Sequence, residues 1–159
     1  MPLITGQSGV GLIKILKFAE PILVWILTHE AHQDGGVFCV AEPKTGTPLL
    51  LCVFGCLRID EYNEYMAFAI EKAKRLAENP SHFASSESRD MTTTPKRYGG
   101  AVRGKDFILS FSGFKEEQDE AAMLLLEWRL RGGSINVSPQ LKEIAERGWY
   151  FSFLEQQAC

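Results

Sequence analysis

Residues 98–121 read YGGAVRGKDFILSFSGFKEEQDEA, and this stretch decides the fold. Two strand-like runs, 98–102 and 107–113, are bounded by glycines and joined through a turn at Gly104. They lead into a helix over 115–130, where Ala121, Leu124, Leu125 and Trp128 form an apolar stripe and Gly132-Gly133 supplies the stop. Glu116, Glu117, Asp119 and Glu120 open that helix and Arg129 and Arg131 close it, as the helix dipole favours. Strands joined by a tight turn and followed by a helix predict an α+β fold.

Towards the N-terminus, 37–41 and 49–54 are short and apolar, and Pro43-Lys44-Thr45-Gly46-Thr47-Pro48 between them supplies turn residues, so they read as a β-hairpin. Centring the turn between Thr45 and Gly46 pairs Cys39 with Cys52 across the ladder, either as a redox-active or metal-binding thiol pair or as two small apolar side chains in a core. Asp60 is positioned to cap a helix carrying Tyr62, Met66, Ala69, Ile70, Ala73, Leu76 and Ala77 at helical spacing, with Glu61, Glu64, Glu71, Lys72 and Lys74 on its other faces. That helix ends at Asn79-Pro80. Residues 80–98 are polar, with Ser81, Ser85, Ser86 and Ser88, and read as a long lid, binding loop or disordered segment.

An N-terminal helical region over 9–33 has Leu12, Ile15, Leu16, Ala19, Leu23 and Ile26 on one face, with Pro21 predicted to kink it or split it in two. A C-terminal extension over 133–159 holds a short helix opened by Ser138-Pro139. After it comes the aromatic run Trp149-Tyr150-Phe151-Ser152-Phe153-Leu154, a final strand or a subunit interface. Nothing marks an internal boundary, so 1–159 reads as one domain.

The chain has 159 residues, 45% hydrophobic and 23% charged, enough to bury a core without disulfides or a structural metal. A net charge of −3 and the absence of a Lys/Arg block argue against nucleic-acid binding. The apolar stretch 21–27 is too short for a membrane span, and the N-terminus lacks the pattern of a secretory signal. A cytoplasmic location with reduced Cys39, Cys52, Cys56 and Cys159 is therefore expected, and the Asn136-Val137-Ser138 triplet reads as a chance match to the glycosylation motif.

Taken in order, the hairpin over 37–54, the helix ending in Ala69-Ile70-Glu71-Lys72-Ala73-Lys74-Arg75-Leu76-Ala77, the Tyr98-Gly99-Gly100 turn and the Ser112-Gly113 to Asp119-Glu120 spacing resemble the GlcG/HbpS family over residues 37–130. The resemblance implies a profilin-like fold, an antiparallel sheet flanked by helices. It also implies homo-oligomers, a dimer being favoured, and an association with haem or corrinoid binding or with glycolate-utilisation operons.

On this reading a small ligand, a tetrapyrrole or a small organic anion, lies between sheet, polar loop and glycine turn. Tyr98, Gly99, Gly100, Arg103, Ser112, Asp119 and Glu120 line it, with Arg103 holding an anion and Asp119 and Glu120 accepting hydrogen bonds. Asp119 and Glu120 also read as an acid/base pair or as plain dipole compensation. Arg97 is a second anion candidate or a surface charge. His29 with His32, and separately His82, are candidate metal or haem-iron ligands, or else solvated residues. Ser110 and Ser112 are nucleophile candidates without a nameable base, and no nucleophile elbow, phosphate loop or dinucleotide glycine pattern is present. The alternative to a ligand-binding domain is a non-catalytic scaffold that uses its sheet and aromatic tail as a protein surface.

Overall fold

Apolar strands buried on both faces need helices on both sides, and that is the arrangement found. The computed structural model describes residues 2–29 and 33–132. Its elements are α1 (Pro2–His29), β1 (Gly35–Ala41), β2 (Pro48–Gly55), α2 (Ile59–Glu78), β3 (Ala101–Arg103), β4 (Ile108–Ser112) and α3 (Glu116–Leu130). The strands form one antiparallel sheet in the order β2-β1-β4-β3.

α2 lies on one face, where its small residues Ala69, Ala73 and Ala77 with Leu76 pack on Val37, Cys39, Ala41, Ala101 and Ile108. Alanines let that helix sit close to the sheet. On the other face α1 and α3 cover Phe38, Val40, Val102, Leu109 and Phe111 with Ile22, Leu23, Ile26, Met123 and Leu125. Burying a large apolar side chain contributes roughly 1.5–3 kcal/mol, so these two clusters supply the main driving force. The α+β class with a helix-flanked antiparallel sheet agrees with the expectation.

Four local expectations are corrected. α1 is one helix through Pro21 rather than two pieces, and it begins before residue 9. Pro21 is exposed, while Ala19, Ile22, Leu23 and Ile26 around it are buried against the sheet and α3, and that packing outweighs one lost backbone bond. In the hairpin, Cys39 pairs with Leu51 and Cys52 with Phe38, so the two thiols lie on opposite faces of the sheet. The reason is the turn. Glu42 closes it by donating its N–H to the Thr47 carbonyl at 2.9 Å, its carboxylate accepts the Thr45 N–H at 2.7 Å, and the register shifts between Val40 and Ala41. Burial pushes the Cys39 thiol up to about 12, which makes it an apolar filler.

The helix expected to be capped by Asp60 begins two residues earlier, with Arg58 at the cap and Asp60 in the first turn. Residues 80–98 are tied down rather than open. A 3-10 turn at Ser85–Ser88 follows Ala84, which bridges to Val102, and the Ser85 hydroxyl accepts the Ala101 N–H at 2.9 Å. This segment thereby covers the β3 edge.

Among the described residues no helix is long and apolar enough to cross a membrane. His32, Cys159, the Asn136 triplet, the helix expected from Ser138 and the aromatic run 149–154 lie outside the described residues.

Candidate functional site

Two charged side chains are buried where α2, β4 and α3 meet. Lys72 of α2 and Asp119 of α3 are each 2% exposed, and the Lys72 ammonium donates to Asp119 Oδ2 at 3.2 Å and to the Phe111 carbonyl at 2.9 Å. Asp119 Oδ1 accepts the Phe114 N–H at 3.0 Å, from the turn between β4 and α3. Gly100 makes the pair feasible from the other side: at φ +129°, a Cβ there would stand 2.7 Å from Lys72 Nζ and 2.9 Å from the Phe111 carbonyl. Removing two ions from water is expensive, and the attraction between them with the added hydrogen bonds offsets much of that penalty.

Burial pushes the Asp119 carboxyl up to about 7, against the opposing pull of Lys72 and the Phe114 and Gly113 amides. A carboxyl titrating near neutrality can give or take a proton under ordinary conditions.

The pair forms the floor of a cavity of about 280 Å³. Tyr65 and Phe68 of α2, Tyr98, and Phe114 line its walls, and Ser112 adds a hydroxyl. The Tyr98 ring meets Phe68 edge-on, with centroids 5.3 Å apart. The Tyr98 carbonyl accepts a hydrogen bond from Arg75, which fixes the turn before Gly99. On the rim, Glu116 Oε1 accepts Arg89 Nε at 2.6 Å and the Gly99 N–H at 3.4 Å, so the 80–98 segment is clasped to α3 at the cavity edge. Burial and the charges of Glu61 and Glu64 push the Tyr65 phenol upward, keeping it a hydrogen-bond donor.

Of the residues expected to line a site, the structure gathers Tyr98, Ser112 and Asp119 around this cavity, while Gly99 and Gly100 do not line it: the Gly99 N–H donates to Glu116 and Gly100 packs against Lys72 and Asp119. Glu120 points elsewhere and accepts the Ser86 hydroxyl at 2.6 Å. Arg103 is remote from it: its guanidinium donates to the carbonyls of Leu76, Asn79 and His82, closing the C-terminal end of α2. The anion-holding role expected of Arg103 is replaced by this capping role, because the last α2 carbonyls need donors.

Ser110 is buried and donates to the Ala69 carbonyl at 2.7 Å, which removes it as a nucleophile. Arg97 is exposed, and its backbone bridges to Asp90. His29 stacks on Trp25 at the exposed end of α1, and neither it nor His82 lines the cavity. Among the described residues no cluster of three or more His, Cys, Asp or Glu could hold a metal ion.

Lys72, Tyr65 and Phe68 were missed as site residues, although a signal existed for two of them. Tyr65, Ala69, Lys72 and Leu76 follow helical spacing on one face, so Lys72 stands on the buried stripe of α2 rather than among its solvated charges.

A larger cavity of about 500 Å³ lies between α1, α3 and the start of β4, beside Lys14, Phe107 and Arg131. Its buried acid, Glu127, is taken up by Arg131 Nε at 2.7 Å and the Lys105 N–H at 3.0 Å. It holds no buried charge pair like the one under the first cavity. No protein-family model, curated protein or solved structure matches the chain.

Proposed function

We propose that this chain is a small-ligand-binding domain of GlcG/HbpS-like character that takes an organic molecule into the cavity above Lys72 and Asp119. The observation that carries the reading is a buried ion pair set at the floor of an open, aromatic-walled cavity, with a carboxyl whose proton affinity lies near neutrality.

The lining narrows the ligand class. Lys72 is already engaged by Asp119 and the Phe111 carbonyl, Glu116 is held by Arg89, and Glu64 and Lys115 bring opposite charges to the same lining, so the site favours an uncharged molecule over the small anion expected from Arg103. A tetrapyrrole, haem or corrinoid, is disfavoured by a volume of about 280 Å³ and by the lack of histidine among the described lining residues. Tyr65, Phe68 and Tyr98 suit a flat or apolar body, while Ser112 and Asp119 suit a hydrogen-bonding group.

Ligand-observed NMR with a set of small aromatic amides and amines, alongside spectral titrations with haemin and cobalamin, tests this reading. Amide or amine binders at about 1 mM or tighter, weakened several-fold in Tyr98→Ala, are expected. A saturable Soret shift with haemin would reinstate the tetrapyrrole. No binder of either kind, or binders indifferent to Tyr98→Ala, would leave the scaffold reading, which the exposed face of β2 favours.

A further inference from the structure

Gln33 lies between α1 and β1, and glycines bring it to the cavity above Lys72 and Asp119. β1 opens with Gly35-Gly36, and the chain there crosses the turn after β4 at very close range. A Cβ on Gly113, at φ +149°, would stand 2.4 Å from the Gly35 carbonyl oxygen and 2.4 Å from the Gly36 Cα. The ladder pairs Val37 with Ser112, so the residues before β1 lie beside those after β4. Gln33 thereby joins Ser112, Phe114 and Asp119 in the cavity lining.

Its side-chain oxygen is unused. Gln33 Oε1 is buried and accepts no hydrogen bond. Buried amide oxygens without a donor are rare, because the hydration lost on burial is not replaced. The carboxylates on the same lining are differently placed: Asp119 accepts from Lys72 and the Phe114 N–H, and Glu116 accepts from Arg89. The last torsion of a glutamine is broad, so its planar amide can turn towards the cavity. The oxygen gives up no hydrogen bond in turning.

A glutamine amide carries a donor and an acceptor side by side. The group that matches both at once is another amide, whose N–H meets Oε1 while its carbonyl takes a Gln33 Nε2–H in the same plane. A carboxylate would set oxygen against Oε1, an ammonium would leave Nε2 unmatched, and an ester or ketone lacks the N–H. Tyr65, Phe68 and Tyr98 suit a flat apolar body beside that group.

We propose that Gln33 is the recognition residue of this cavity and selects a neutral aromatic carboxamide, pairing with it amide to amide. This role rests on the reading of the cavity as a ligand site, and it adds which functional group the ligand carries and which side chain reads it. A site with a buried acceptor rejects analogues that lack the donor, because the acceptor then stays unpaired.

Benzamide and acetophenone have nearly the same shape, with NH₂ in one and methyl in the other, so titrating both into the full chain by ligand-observed NMR tests the pairing. Wild type is expected to bind benzamide about tenfold more tightly than acetophenone. In Gln33→Met, which keeps the length of the side chain without its amide, that preference should vanish while the far-UV circular dichroism spectrum stays unchanged. Equal binding of the two compounds to the wild type, or a preference that survives in Gln33→Met, overturns the role of Gln33 and leaves the cavity reading standing. Should neither compound bind, Tyr98-dependent binding of other aromatic probes sinks the amide pairing alone, and its absence sinks the cavity reading as well. If Gln33→Met does not fold, the side-chain amide proton resonances of Gln33 in the wild type decide. Resonances that shift with benzamide and not with acetophenone support the pairing, and resonances that stay in place overturn it.

Discussion

Lys72 and Asp119 show how much a single buried contact can demand of its surroundings. Removing Lys72 takes a hydrogen-bond donor from Asp119 and from the Phe111 carbonyl, so Lys72→Met is expected to lower stability by about 1–3 kcal/mol, measured by urea unfolding. The double variant Lys72→Met/Asp119→Leu should lose clearly less than the sum of the single changes, because the second substitution removes the orphan. The pH dependence follows from the raised Asp119 value. The unfolded chain releases this proton near 3.8 and the folded chain holds it to about 7, so the folded state binds more protons between those values. The contribution is present in full below the lower value and is lost as pH rises through the upper one. Comparing urea midpoints at about pH 5 and about pH 8 in wild type and Asp119→Asn should show a fall in the first that is flattened in the second. Gly100→Ala is also expected to destabilise, by about 1–3 kcal/mol, since the added methyl meets Lys72 Nζ and the Phe111 carbonyl at a positive φ. An unchanged midpoint in that variant would refute the close approach.

The elements hold together through a few side chains that close each other's ends. Arg103, on β3, supplies donors to the last carbonyls of α2, so Arg103→Met should lower stability by about 1–2 kcal/mol without affecting ligand titrations at the cavity. Calorimetry paired with the NMR assay would separate these two effects. Ser85 ties the 80–98 segment to β3 through the buried Ala101 N–H. Ser85→Ala leaves that donor without its acceptor and is expected to lose about 1–3 kcal/mol, with faster hydrogen exchange at Ala101 as its local signature. α1 shows the reverse balance, since Pro21 deprives the helix of one bond and packing of Ile22, Leu23 and Ile26 carries it through.

For the molecule as a whole, a central sheet between one helix on one face and two on the other explains both the buried pair and the row of β2 side chains that the described helices leave exposed. α2 lies over β1, β4 and β3, close enough to bring Lys72 onto Asp119 and too far from β2 to cover Leu49, Leu51 and Val53. Periodicity, glycine and proline determined the α+β class, the hairpin, α2, α3 and the glycine turn, because those signals act over a few neighbouring residues. The grouping of Tyr98, Ser112 and Asp119 came from the family resemblance rather than from those local signals, and the same resemblance also named Arg103 and Glu120, which point elsewhere. Only the tertiary structure decided that Lys72 is buried rather than solvated, that Arg103 caps a helix, that Cys39 and Cys52 face apart and that residues 80–98 cover an edge. Each of these depends on which distant backbone group lies within about 3 Å of a side chain, and neither local propensity nor hydrophobic period carries that information.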